Sequence, residues 1–184
     1  MKNTISRKWV RSLLCLSFLW ASYAQAQTWF FDHYGVEEGL PHSRVYAVHQ
    51  DPSGYVWLGL PNGLTRFDGR EFALFGTPDG LAGTGVKTIL TDPFGVLWVG
   101  HWGGAISRRT DSAFNTVDST TLFIKGDVYG FVFDAAGYSW ISTFGSGLVR
   151  FRQPSSGKFE DITFLKGAEG LGDQIAAAVR MPDG

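Results

Sequence analysis

Apolar residues along this chain come in short blocks divided by turns, and the blocks repeat. An apolar stretch, a turn with Gly, a Trp-bearing stretch, a Gly-rich turn and a stretch ending in Arg follow one another in the same order. In the first round these are Val45 to Gln50, Asp51 to Gly54, Tyr55 to Leu60, Pro61 to Gly63 and Leu64 to Phe67. Asp68-Gly69 then signals a hairpin, and Arg70 to Phe75 supplies a fourth strand. The register is carried by three phrases: DPSGYVW at Asp51 to Trp57, DPFGVLW at Asp92 to Trp98 and DAAGYSW at Asp134 to Trp140. The leading Asp recurs after 41 and then 42 residues, and Met181-Pro182-Asp183-Gly184 opens a further round. A period of this length marks a modular fold.

Four short antiparallel strands per repeat define an all-β fold, a β-propeller with four-stranded antiparallel blades. About three blades and the start of a fourth are expected, in units of approximately 31–75, 76–115, 116–158 and a truncated 159–184, as part of a larger ring expected to have seven blades. Val45, Val86, Val128 and Ile175 each stand six residues before the turn, and Leu64, Ile106 and Leu148 recur every 42, so these positions are expected to be buried. In the third unit Val128, Phe131, Val132 and Phe133 are apolar on both faces of the strand, as for sheets covered on both sides. Asp51, Asp92 and Asp134 suit a first turn position that accepts from amides two residues on, and Gly54, Gly95 and Gly137 supply a left-handed residue. Trp57, Trp98 and Trp140 are the large packing elements expected between blades, and Arg66, Arg108 and Arg150 are expected to bridge them.

Composition changes the picture at the N-terminus. Lys2, Arg7, Lys8 and Arg11 precede an apolar run from Leu13 to Trp20, and Ala24-Gln25-Ala26 offers a cleavage site. Residues 1–26 therefore read as a secretory signal peptide, its apolar core well short of the ~20 residues of a spanning helix. Cys15 falls inside it in no lipid-attachment context, so residues 27–184 hold no cysteine. Export then brings no disulfides, and thiol catalysis and cysteine-ligated metal are excluded. Without the leader the balance is 12 basic to 17 acidic residues, a net −5, which argues against a nucleic-acid partner.

The repeat resembles that of the two-component regulator propeller family, approximately Gly-Leu-Pro, a Val, an apolar strand, D-x-x-G-x-x-W-[ILV]-G-T, G-[GL] and an aromatic-D-G. The matching residues are Gly39-Leu40-Pro41, Val45, Asp51, Gly54, Trp57-Leu58-Gly59, Gly63-Leu64 and Phe67-Asp68-Gly69. The second unit matches through Gly80-Leu81, Val86, Asp92, Gly95 and Trp98-Val99-Gly100, whereas the third has Ser142 in place of the Gly and lacks Gly-Leu-Pro. The Asp-box of sialidase-like propellers, S-x-D-x-G-x-T-W, places Gly two residues after Asp; here the separation is three.

The resemblance implies a periplasmic sensor of a phosphorelay histidine kinase. In such receptors propellers precede a β-sandwich, a membrane helix and a cytoplasmic kinase, or in some relatives a diguanylate cyclase. Membrane anchoring, dimerisation and any kinase or cyclase activity would then belong to sequence after residue 184. The rival classes are a propeller-type polysaccharide-degrading enzyme and a protein-binding scaffold, which that following sequence would separate.

No catalytic constellation is found: His33, His42, His49 and His101 have no metal-ligand spacing, and no Ser sits in a G-x-S-x-G elbow. No metal or cofactor is expected. In a four-stranded blade the loop between strands two and three and the loop leading into the next blade emerge on the same side. That places His42, Arg44, Asn62, His101, Trp102 and Phe144 on one surface near the propeller axis, as candidates for an oligosaccharide or other periplasmic ligand. Turn capping or a solvated loop is the plainer role for each. N-terminal sequencing of exported protein should begin at Gln27; a mature product that keeps Lys2 or Arg11 contradicts the leader.

Overall fold

A computed structural model describes residues 30–110, 113–117, 124–152, 159–165 and 175. The expected leader and, apart from Ile175, everything after residue 165 lie outside the described residues. Twelve strands are described, all within the compact unit Tyr34–Gly184. They are β1 (Ala47–Gln50), β2 (Val56–Leu60), β3 (Gly63–Phe67), β4 (Phe72–Phe75), β5 (Val86–Thr91), β6 (Leu97–His101), β7 (Ile106–Thr110), β8 (Ala113–Thr116), β9 (Val128–Phe133), β10 (Ser139–Thr143), β11 (Leu148–Arg152) and β12 (Glu160–Leu165). They form three four-stranded sheets, each taking its strands in chain order with every pair antiparallel. Each sheet is one propeller blade, as the repeat predicts.

The turn between the first and second strands of a blade is built by its Asp. In the first blade Asp51 Oδ1 accepts from the amides of Ser53 (2.9 Å) and Tyr55 (3.1 Å), and Oδ2 accepts from Trp57 Nε1 at 2.8 Å. Asp92 repeats the set on Phe94, Val96 and Trp98, and Asp134 bonds Tyr138 N and Trp140 Nε1. Gly54, Gly95 and Gly137 close these turns at φ of 90°, 85° and 82°, a region that costs other residues energy. The amide-capping role was expected; the bond to the indole was not.

Held this way, the indoles of the first two blades project onto the following blade, whereas Trp140 is only half-buried, with no described blade after it. Trp57 is fully buried against Phe75 of its own blade and Phe114 of the second, and Trp98 packs on Phe131, Phe133 and Phe151 of the third. Around them two apolar clusters fill the spaces between blades one and two and between blades two and three. The first strands run side by side, β1 next to β5 and β5 next to β9, so they line the inner edge of the stack.

Four expectations are corrected. Val86 and Val128 are fully buried because each seats on a glycine of the preceding blade, Gly59 and Gly100; Val45 is 37% exposed because no described blade lies before it. Leu148 is half-buried for the converse reason, with no described blade beyond β11. The third unit does not end at 158, since β12 pairs with β11 and completes the third sheet out to Leu165. The arginines do not bridge blades as expected: Arg66 stacks over Tyr55 at 4.5 Å and Arg150 over Tyr138 at 4.6 Å, both within their own blade, and Arg108 sits across from Trp98 on the adjacent strand. It is Arg109 that reaches Trp57 of the previous blade, at 5.3 Å.

Trp98→Ala should cost about 3–5 kcal/mol, the range for removing a large buried aromatic. Trp102→Ala, four residues on but 41% exposed, should cost about 1 kcal/mol or less. Urea midpoints of the two variants decide it, and equal losses would contradict the assignment of faces.

Candidate functional site

Antiparallel pairing puts the loops β2–β3, β6–β7 and β10–β11 on the same side as the entries to β1, β5 and β9. On that side the first strands of blades two and three each carry a β-bulge. Val86 pairs with His101 and Thr88 with Gly100, so Lys87 is the extra residue; Tyr129 is the extra residue between Val128 and Gly130. A bulge residue leaves the ladder and its side chain is re-aimed. Tyr46, one residue before β1, holds the corresponding place in blade one, its amide bonded to Gly59 O at 2.8 Å.

These three positions converge. Lys87 Nζ lies 4.3 Å from the centre of the Tyr46 ring, 5.3 Å from Tyr129 and 5.6 Å from Trp102. Trp102 meets Tyr46 edge-on at 5.8 Å and lies across Gly85, where any Cβ would collide with the indole. Phe144 packs on Tyr129 at 6.3 Å, and Arg44 Nη1 donates to Tyr46 Oη at 3.4 Å. Trp102 and Phe144 stay 41% and 47% exposed, and Arg44 is exposed as well. The result is a patch of aromatic edges carrying two cations, spread over three blades. The loop between β6 and β7 is tied to blade three by Gly103 N, which donates to Asp127 Oδ1 at 3.0 Å.

Of the six candidates from the sequence, the structure brings Arg44, Trp102 and Phe144 into this patch. His42 accepts the Arg44 amide on Nδ1 at 2.9 Å, which shapes the loop into β1. Asn62 is exposed in the turn between β2 and β3, with no contact to the patch among the described residues. His101 is not a surface residue at all. It is fully buried, its Nε2 2.8 Å from Ser107 Oγ, which also accepts the Ala82 amide at 2.8 Å. Its Nδ1 is buried without a partner among the described residues. Tyr46, Lys87 and Tyr129 were missed, although one signal marks them: each follows the repeat Val, at 45, 86 and 128.

A second hollow, of about 520 Å³, lies on the opposite side between blades one and two. The 51–53 turn, Phe94 to Leu97, Thr91 and Arg109 line it, and no candidate residue reaches it. Among the described residues no three His, Asp or Glu side chains converge as metal ligands.

The comparisons with known proteins bear on the fold. Residues 39–62, within the first repeat, match the family model described as the two component regulator propeller. Over 67 residues the chain is 36% identical to histidine kinase P4 of Formosa agariphila, covering 36% of this chain and 5% of that protein. Among solved structures, the extracellular domain of a protein described as a hybrid two component system from B. thetaiotaomicron superposes with a TM-score of 0.67 at 20% identity, covering 80% of this chain and 22% of that one. A second such domain from the same organism gives a TM-score of 0.58 at 20% identity, over 81% of this chain and 20% of that one. The chain thus has the propeller fold of these extracellular domains and spans about a fifth of their length.

Burial lowers the pKa of His101 from 6.5 to about 4. Between those values the unfolded chain takes up a proton that the folded chain refuses, so stability is fully present above pH 6.5 and falls as pH drops toward 4. The loss amounts to about 3 kcal/mol. Denaturant midpoints at pH 7 and pH 4.5 should show a larger acid loss in the native chain than in His101→Gln; equal losses would mean that His101 is hydrated and charged in the folded state.

Proposed function

We propose that this chain is the ligand-sensing portion of an exported receptor of the two-component type, and that it recognises a carbohydrate. The observation that carries the reading is the patch around Tyr46, Lys87, Trp102, Tyr129 and Phe144, set on a propeller whose first repeat matches the regulator family. Exposed aromatic rings beside polar donors suit a pyranose, whose C–H groups stack on a ring face while its hydroxyls are fixed by hydrogen bonds. Backbone bonds hold the patch: Tyr46 N to Gly59 O, Phe144 N to Asp127 O and the Trp102 loop to blade three, so little order has to be gained on binding. Extracytoplasmic placement is supported by the leader-like N-terminus and by the likeness in fold to extracellular domains. Signal output would be the work of a kinase borne on the same protein.

The test is thermal denaturation of the purified chain against a panel of oligosaccharides, with Trp fluorescence as a second readout. At least one oligosaccharide should raise the midpoint and perturb Trp102 fluorescence, and Trp102→Ala together with Phe144→Ala should abolish both effects while leaving the fold intact. Absence of any response across the panel would overturn the carbohydrate reading, and release of shortened sugar products would replace it with an enzymatic one.

A further inference from the structure

The residue after the repeat Val is aromatic in blades one and three and a lysine in blade two. A tyrosine at 87 would have continued an uninterrupted aromatic strip along the inner edge. Instead an ammonium group is set among three rings, on a residue that is half-buried. Cation–π contacts hold it in place. They do not neutralise it: among the described residues Lys87 has no carboxylate partner. Arg44 stands on the other side of Tyr46, so two cations bracket one ring. Asp127, the acidic residue nearest in the chain to Tyr129, already accepts the Gly103 amide on one oxygen. This concentration of positive charge occurs in a chain whose formal net charge is −1.

We infer that the patch takes an acidic oligosaccharide, whose pyranose rings bear a carboxylate or sulfate, with Lys87 and Arg44 as the partners of the anion and Trp102 and Phe144 as the stacking rings. The inference rests on the carbohydrate reading above and names its substrate class. Each element has a physical reason. An ammonium already held among three rings loses little side-chain freedom when it pairs with an anion. The Arg44 guanidinium can meet a planar anion with two parallel hydrogen bonds. The bulge at Lys87 fixes where the charge is presented, so the anion is placed relative to the ring that carries it.

The experiment is calorimetric titration of the purified full chain with three probes: an oligogalacturonate, a sulfated galactan oligosaccharide without carboxylates, and a neutral oligosaccharide of equal length. One of the two acidic probes should bind at least about tenfold more tightly than the neutral one, and which of them does so tells carboxylate from sulfate. Binding should weaken as salt rises from 50 to 500 mM. Lys87→Met, which keeps the length and apolar character of the stem, should cost the acidic probe at least about tenfold, and at least about threefold more than it costs the neutral one. Where that variant unfolds, Arg44→Gln, at an exposed guanidinium, should give the same selective loss. Equal or better binding of the neutral probe, or indifference of the acidic probe to both variants and to salt, overturns this inference and leaves the carbohydrate reading standing. No binding of any of the three overturns both.

Discussion

Everything in this molecule depends on one carboxylate per blade. Asp51, Asp92 and Asp134 each hold two things at once: with one oxygen the amides of their own turn, with the other the indole N–H six residues on. The first bond closes the hairpin. The second satisfies the only polar atom of a residue that must otherwise be buried whole, so the indole can be placed between blades with nothing left unpaired. Because turn and indole are fixed by the same group, local hairpin geometry and packing between blades cannot vary independently. Loss of the Asp would therefore leave a buried N–H unpaired and loosen the turn in the same step.

The packing between blades then follows from size. A glycine two residues after Trp57 and after Trp98 leaves the space into which the Val of the next blade fits: Val86 lies where a Cβ on Gly59 would stand, and Val128 fills the same place over Gly100. Ser142 holds that position in the third blade, buried and with its hydroxyl unpaired among the described residues. A side chain there takes up room that the glycine leaves open in the other two blades, and it also adds a polar atom that must be desolvated.

The sequence was readable where a residue's role is set by its own repeat, and opaque where it is set by a neighbour. The Asp and Gly turns and the four strands are properties of one unit seen three times, and with the packing of Trp57 and Trp98 they were legible from the repeat. Whether Val45 is covered depends on what precedes blade one, and a period cannot show that. The end of the third unit was misjudged because the run from Glu160 to Leu165 carries no phrase of the repeat; only its pairing with β11 assigns it. His101 sits in the sequence beside an exposed Trp, yet it is the last residue of β6 and faces Ser107 rather than the loop. Neighbours in a strand face opposite ways, and at strand ends a register error of one residue exchanges buried for exposed.

The candidate site shows the same division at a larger scale. Three of its residues, Arg44, Trp102 and Phe144, lie in loops and could be proposed from loop position alone. Tyr46, Lys87 and Tyr129 lie in or beside strands, and by simple alternation each would be read as one more position on a covered face. It is the bulge that lifts Lys87 and Tyr129 out of the alternation, and a bulge adds its residue without disturbing the spacing from the repeat Val to the turn. A repeat protein can therefore keep its structural phrases intact and still vary its surface by changing the single residue the bulge exposes. Tyr, Lys and Tyr at that one position are the difference between a uniform apolar rim and one that carries a charge.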